Sequence, residues 1–299
     1  MNNYVLFTDS SADLSQQLVE ELGVEVLPLC FTMGDKTYRN WPDNREMDPE
    51  EFYRMLREGA MATTSAVNVG DYTEALTPFL EAGKDVLVLA FSSGLSATCH
   101  SAQIAAQELN EQYPQQRVRV VDTLCASLGQ GLLVWHAAKL KQSGKRLDEV
   151  GDWAEENKLR LCHWFTVSDL HFLKRGGRIS PATAVLGTML SIKPVMHVDD
   201  EGHLIKVGTA RGRGASLKAL VDHMAETADD PGNQVVFISH GGCLEDAQKV
   251  AQDVKDRFGT KEVVINYVGP VIGAHSGPGT VALFFLGSKR GWRISSGWR

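Results

Sequence analysis

The chain has 299 residues, 43% of them hydrophobic and 22% charged, with a formal net charge of -7. This is a globular composition, too apolar for intrinsic disorder and too acidic for nucleic acid or an anionic membrane surface to be engaged by bulk charge. The length suits two domains, because single cores stop growing at roughly 250–300 residues.

In chain order, a short β-rich run, 4–8, is followed by Asp13, expected to cap a helix that ends at Gly23. A strand is expected over 24–29 and helices over 49–58 and 72–82. The near-continuous apolar run 85–91 reads as a strand buried on both faces. A helix over 96–109, a strand over 118–121 and a helix over 127–142 complete a βαβα rhythm, which calls for a parallel sheet with helices on both faces. After about Leu147 a helix runs to Lys158, then a strand over 163–167 and a helix over 169–174. Residues 192–198 and 203–208 flank Asp199-Asp200-Glu201-Gly202, a hairpin signal. Further helices (215–225, 244–258) and strands (235–239, 263–267, 281–286) follow. The expected fold class is α/β: an N-terminal parallel-sheet domain, 1–158, and a C-terminal α+β domain, 159–299.

The N-terminus lacks a basic region followed by a long apolar run, and no apolar run nears the ~20 residues of a membrane span. Cys30, Cys99, Cys125, Cys162 and Cys243 are scattered and never spaced as C-x-x-C, so buried free thiols in a reducing cytoplasm are expected. The sequence has no phosphate-binding P-loop, no H-E-x-x-H and no complete dinucleotide fingerprint, and no cofactor or metal is expected.

Five segments can carry chemistry. Ser92-Ser93-Gly94-Leu95-Ser96 joins a buried strand to a helix, where free N–H groups favour an anion. Thr63-Thr64-Ser65 stands before a helix signalled by Asn68 and Asp71; alone it reads as a cap, but two hydroxyl-rich entries in one domain suggest an anion pocket. Lys174-Arg175-Gly176-Gly177-Arg178 offers three cations on a tightly turning backbone, either a phosphate clamp or a solvated helix end. Arg211 and Arg213 lie between a strand and a helix. His275 sits in the small-residue loop 273–280, where it either bonds a carboxylate or is structural. Asp9 and Asp13 read as caps or a metal pair.

Taken in order, Thr8-Asp9-Ser10-Ser11-Ala12-Asp13-Leu14, Thr64-Ser65, Ser92-Ser93-Gly94-Leu95-Ser96, Val121-Asp122-Thr123, Leu173 to Ser180, Ile192-Lys193-Pro194-Val195, Arg211 and His275 to Thr280 resemble the DegV family of fatty-acid-binding proteins. The resemblance implies a long-chain fatty acid between two domains, with its carboxylate on Thr64 and Ser96. It further implies presentation of that acid to a separate ATP-using kinase subunit that forms acyl-phosphate. Ser65, Ser93, Gly94, Arg178, Arg211 and His275 would support the head group or phosphoryl transfer, and the chain itself would not be an enzyme. The sequence departs from the family at Ala66-Val67-Asn68, where Gln-Pro-Ser is usual, and at Ala97, where glycine is usual. Two other readings stay open: an enzyme acting on a small phosphorylated or carboxylated metabolite through His275, Arg178 and Arg211, and a regulatory protein docking an acidic partner on 174–178 and 211–213.

Overall fold

The computed structural model describes residues 4–181 and 191–290. Residues 1–3 of the expected N-terminal domain and residues 182–190 and 291–299 of the expected C-terminal domain lie outside that range. Three sheets organise the chain. The first is parallel, in the order β2 (Val24–Leu27), β1 (Tyr4–Asp9), β6 (Asp85–Ala90), β7 (Val118–Asp122). The second is antiparallel, β4 (Lys36–Arg39), β3 (Cys30–Met33), β5 (Ala62–Ser65). The third has six strands in the order β10 (Leu204–Arg211), β9 (Ile192–Val198), β8 (Leu161–Thr166), β13 (Val281–Leu286), β11 (Val235–His240), β12 (Glu262–Tyr267). Every strand up to β7 belongs to the first two sheets and every strand from β8 to the third.

The parallel sheet is buried on both faces, which is why its strands read as unbroken apolar runs. Side chains alternate between faces. Val5, Phe7, Val86 and Val88 pack toward α3 (Val69–Glu81) and α4 (Thr98–Gln112). Leu6, Leu87 and Leu89 pack toward α5 (Leu128–Gln142) and α6 (Leu147–Asn157). Helix α5 is buried nearly all round. Its other side meets Phe165, Phe237 and Phe284 of the six-stranded sheet, so one apolar core runs through both halves. Gly129 permits this approach: a Cβ there would lie 2.2 Å from His163 Nε2 and 2.8 Å from Phe284. Helices α8 (Arg213–Thr227) and α9 (Leu244–Phe258) cover the remaining face.

Local chemistry corrects several expectations. Helix α1 (Gln16–Leu22) is capped by Ser15, which accepts from the Leu18 N–H, and not by Asp13. Asp13 closes a 3-10 turn over Ser10–Ala12 with φ 50. The hydroxyl run Thr63-Thr64-Ser65 is strand β5, and Asn68 with Asp71 forms the capping box of α3. The expected strand 24–29 ends at Leu27, and β3 and β4 follow it. Among the described residues no helix is long and apolar enough to cross a membrane.

Candidate functional site

A cavity of about 170 Å³ lies between the ends of the parallel sheet and the six-stranded sheet. Its wall is mainly hydrocarbon: Leu29, Phe91, Leu95 and Ala126 from the first half, Phe165, Val198, Leu204 and Phe284 from the second. Against this background a few polar side chains stand out. Strand β5 supplies Thr64 and Ser65, the loop after β6 supplies Ser96, the turn after α7 (His171–Arg175) supplies Arg178, and α10 (Pro270–Ser276) supplies His275.

Thr64 and His275, 211 residues apart, share a 2.8 Å hydrogen bond between Oγ1 and Nε2. Burial, with Arg178 and Arg175 nearby, pulls His275 down to about 4, so the imidazole is neutral at pH 7. Its Nδ1 is buried without a hydrogen-bond partner and faces Gly176, where a Cβ would lie 2.2 Å away. Gly176→Ala is therefore expected to push the ring off Thr64. NMR signals of the His275 ring check this; unchanged signals would mean that the end of α7 gives way instead.

Arg178 is half-buried. It donates to the Leu95 carbonyl at 3.1 Å and to the Gly176 carbonyl, and no carboxylate pairs with it among the described residues. A cation held at the cavity by carbonyls alone keeps its field for an incoming anion. The Ser96 Oγ accepts from the Thr98 N–H at 3.2 Å, and so helps start α4 while lining the cavity. Two contacts from the second half clamp this loop: the Arg178 bond to Leu95, and the 2.9 Å bond from Ser92 Oγ to the Gly202 carbonyl at the β9–β10 hairpin tip. Gly94 fits under that tip because a Cβ would meet the Glu201 carbonyl oxygen at 2.8 Å.

Thr64, Ser65, Ser96, Arg178 and His275 thus converge. Ser93 does not: it is exposed, and its N–H donates to Asp122. Gly94 packs under the hairpin without lining the cavity. Arg211 ends β10 opposite Ile192, on the exposed side that it shares with Thr209, and is not part of the wall. Asp9 caps the 3-10 turn Ser10–Ala12 by accepting from the Ser11 N–H, and neither it nor Asp13 caps α1. No group of three or more His, Cys, Asp or Glu side chains fit for a metal occurs among the described residues. Burial pushes Asp13 up to about 8, and it accepts a 2.5 Å bond from Ser127. The apolar wall, Ser127 and Ser239 carry no sequence signal that separates them from ordinary core residues, and Ser276 is flagged only as a neighbour of His275 in the segment 273–280.

Thr64, Arg178 and His275 also line a shallower depression with Met61, Arg175, Gly176 and Ala274. The polar end of the cavity therefore shares its wall with a second depression that also carries Arg175.

Comparison with known proteins agrees with this architecture. The profile of the DegV family, described as an uncharacterised protein family, matches residues 3–288. A DegV domain-containing protein of Clostridium perfringens is 45% identical over 290 residues, 97% of this chain and 99% of the relative. A solved Thermus thermophilus structure, described as showing fatty acid binding of a DegV family protein, superposes with a TM-score of 0.84 at 34% identity, covering 95% of this chain and 99% of that one. A Thermotoga maritima structure, described as revealing a fatty-acid-binding function, gives 0.82 at 28% identity, covering 96% and 100%. With that match across nearly its whole length, this chain belongs to the DegV family.

Proposed function

We propose that the chain binds a long-chain fatty acid in the cavity between its sheets, with the carboxylate on Thr64 and Ser96. The observation that carries this reading is the composition of the cavity wall: mainly hydrocarbon, with the hydroxyls of Thr64, Ser65 and Ser96, a neutral imidazole and a guanidinium that has no carboxylate partner among the described residues gathered together. Burying a methylene is worth about 0.8 kcal/mol, so a chain of roughly 14 gains about 11 kcal/mol before association and ordering costs. The tail supplies most of the affinity and the polar end sets the head. The fatty-acid binding described for the Thermus and Thermotoga relatives supports the same ligand class.

The chain then acts as a cytoplasmic carrier that presents the acid to a separate ATP-dependent kinase subunit for acyl-phosphate formation. The depression around Arg175, beside Thr64 and His275, gives a partner a route to the head. The small-metabolite enzyme reading needs Arg211 as a clamp, and Arg211 lies outside the cavity.

Mass spectrometry of the denatured recombinant protein is expected to find co-purified fatty acid, and the delipidated protein is expected to rebind palmitate. A ligand-free protein that ignores added palmitate would overturn the reading. A finer test uses His275. Its NMR titration midpoint in the empty protein is expected at about 4. A bound carboxylate favours the charged imidazole, so palmitate should raise the midpoint. An unmoved midpoint places the head away from His275.

A further inference from the structure

Three further hydroxyls line the cavity, those of Ser127, Ser239 and Ser276, and the reading above gives them no part in holding the carboxylate. Ser127 stands at the start of α5 with φ 53 and ψ -148, a backbone conformation that L-residues avoid. From there its Oγ donates to Asp13 and lies 3.0 Å from the Ser239 Oγ. Ser127 and Ser239 both line the cavity, and so does Ser276. Ser276 is buried, with 5% relative exposure, and its Oγ has no hydrogen-bond partner. The hydrogen bonds of this patch run to Asp13, whereas Thr64 bonds His275.

A plain hydrocarbon tail leaves the Ser276 hydroxyl unanswered, and a buried donor without a partner is costly. With Ser127 donating to Asp13, the Ser127 oxygen can accept from Ser239. That leaves the Ser239 oxygen as an open acceptor and the Ser276 hydroxyl open both ways. A ligand hydroxyl, which donates and accepts, matches what is left; a carbonyl, which only accepts, matches half of it.

We propose that the cavity selects acyl chains that carry a hydroxyl group along their length, read by Ser239 and Ser276, with Ser127 as the positioning residue. The proposal rests on the fatty-acid reading above and names the ligand class within it. Its test is calorimetric titration of the delipidated full-length chain with stearate and with hydroxystearates substituted near the head, at mid-chain and near the methyl end. One isomer is expected to bind about five- to tenfold more tightly than stearate, the yield of about one neutral hydrogen bond. That ratio is expected to fall toward one in both Ser239→Ala and Ser276→Ala; Ser276→Ala removes a hydroxyl that bonds nothing in the protein. Stearate bound at least as well as every isomer, or a ratio unmoved in both variants, overturns the proposal and leaves fatty-acid binding intact. Failure of the wild-type chain to bind any of these acids overturns the fatty-acid reading itself.

Discussion

Asp9→Ala is expected to destabilise the protein by about 3–6 kcal/mol, well above the ~1 kcal/mol of an ordinary substitution. Asp9 is fully buried. It accepts from the Ser11 N–H at 3.1 Å and from the Ser11 hydroxyl, from the Phe91 N–H at 2.8 Å and from Gln130 Nε2 at 3.2 Å. Burial pushes its carboxyl up, and these bonds pull it back. Alanine orphans the Ser11 and Phe91 N–H groups, whereas Gln130 Nε2 keeps its bonds to Thr8 Oγ1 and the Leu89 carbonyl. Each orphaned buried donor costs about 1–3 kcal/mol where no replacement is found. Total stabilities of about 5–15 kcal/mol leave little margin for such a loss. Asp9→Asn is a milder version of the same fault, because its amide group can set a donor against the Gln130 amide or an N–H. The functional cost follows from Phe91, which begins the loop that carries Ser96. Urea denaturation measures the effect; a change below about 1 kcal/mol would mean that water reaches the site.

Thr64→Val and Ser96→Ala are each expected to weaken fatty-acid binding about 10- to 100-fold, the yield of one hydrogen bond to a charged group. Both hydroxyls line the polar part of the cavity, and Thr64 already shows its reach by bonding His275. The tail contacts survive in each variant, so binding weakens without disappearing. Comparing palmitate with the corresponding fatty alcohol isolates the head. The wild-type chain should prefer the acid, and the double variant should lose that preference while keeping the alcohol. Unchanged palmitate affinity in both single variants would move the head elsewhere.

How much of this was legible depended on whether burial left a pattern in the residue types. Strand β6 was readable because a central parallel strand must be apolar on both faces. Strands β3, β4 and β5 were not: each has four residues, β4 is polar and largely exposed, and Thr63-Thr64-Ser65 imitates a helix entry. The true cap, Asn68, lay three residues further on. Thr64, Ser96, Arg178 and His275, which line the same cavity, were singled out by residue type and family resemblance together. Arg211 sits on a strand whose alternate side chains face opposite ways, and no local signal says which face meets the cavity. The hydrocarbon wall stayed invisible because Phe165 or Phe284 lining a cavity has the composition of any core residue.

Helix α5 belongs to the core of both halves, and this restricts how ligand exchange can happen. A hinge that swings two independent lobes apart would have to strip the α5 contacts from one sheet, with Gly129 set against His163 and Phe284. Such an opening approaches partial unfolding in scale. On the proposed reading, exchange is then expected at the rim, where Thr64, Arg178 and His275 also line the outer depression, while the scaffold stays shut. By the same reasoning a fragment ending at residue 158 would present one flank of α5 bare to solvent, and it should aggregate where the full-length chain remains monodisperse.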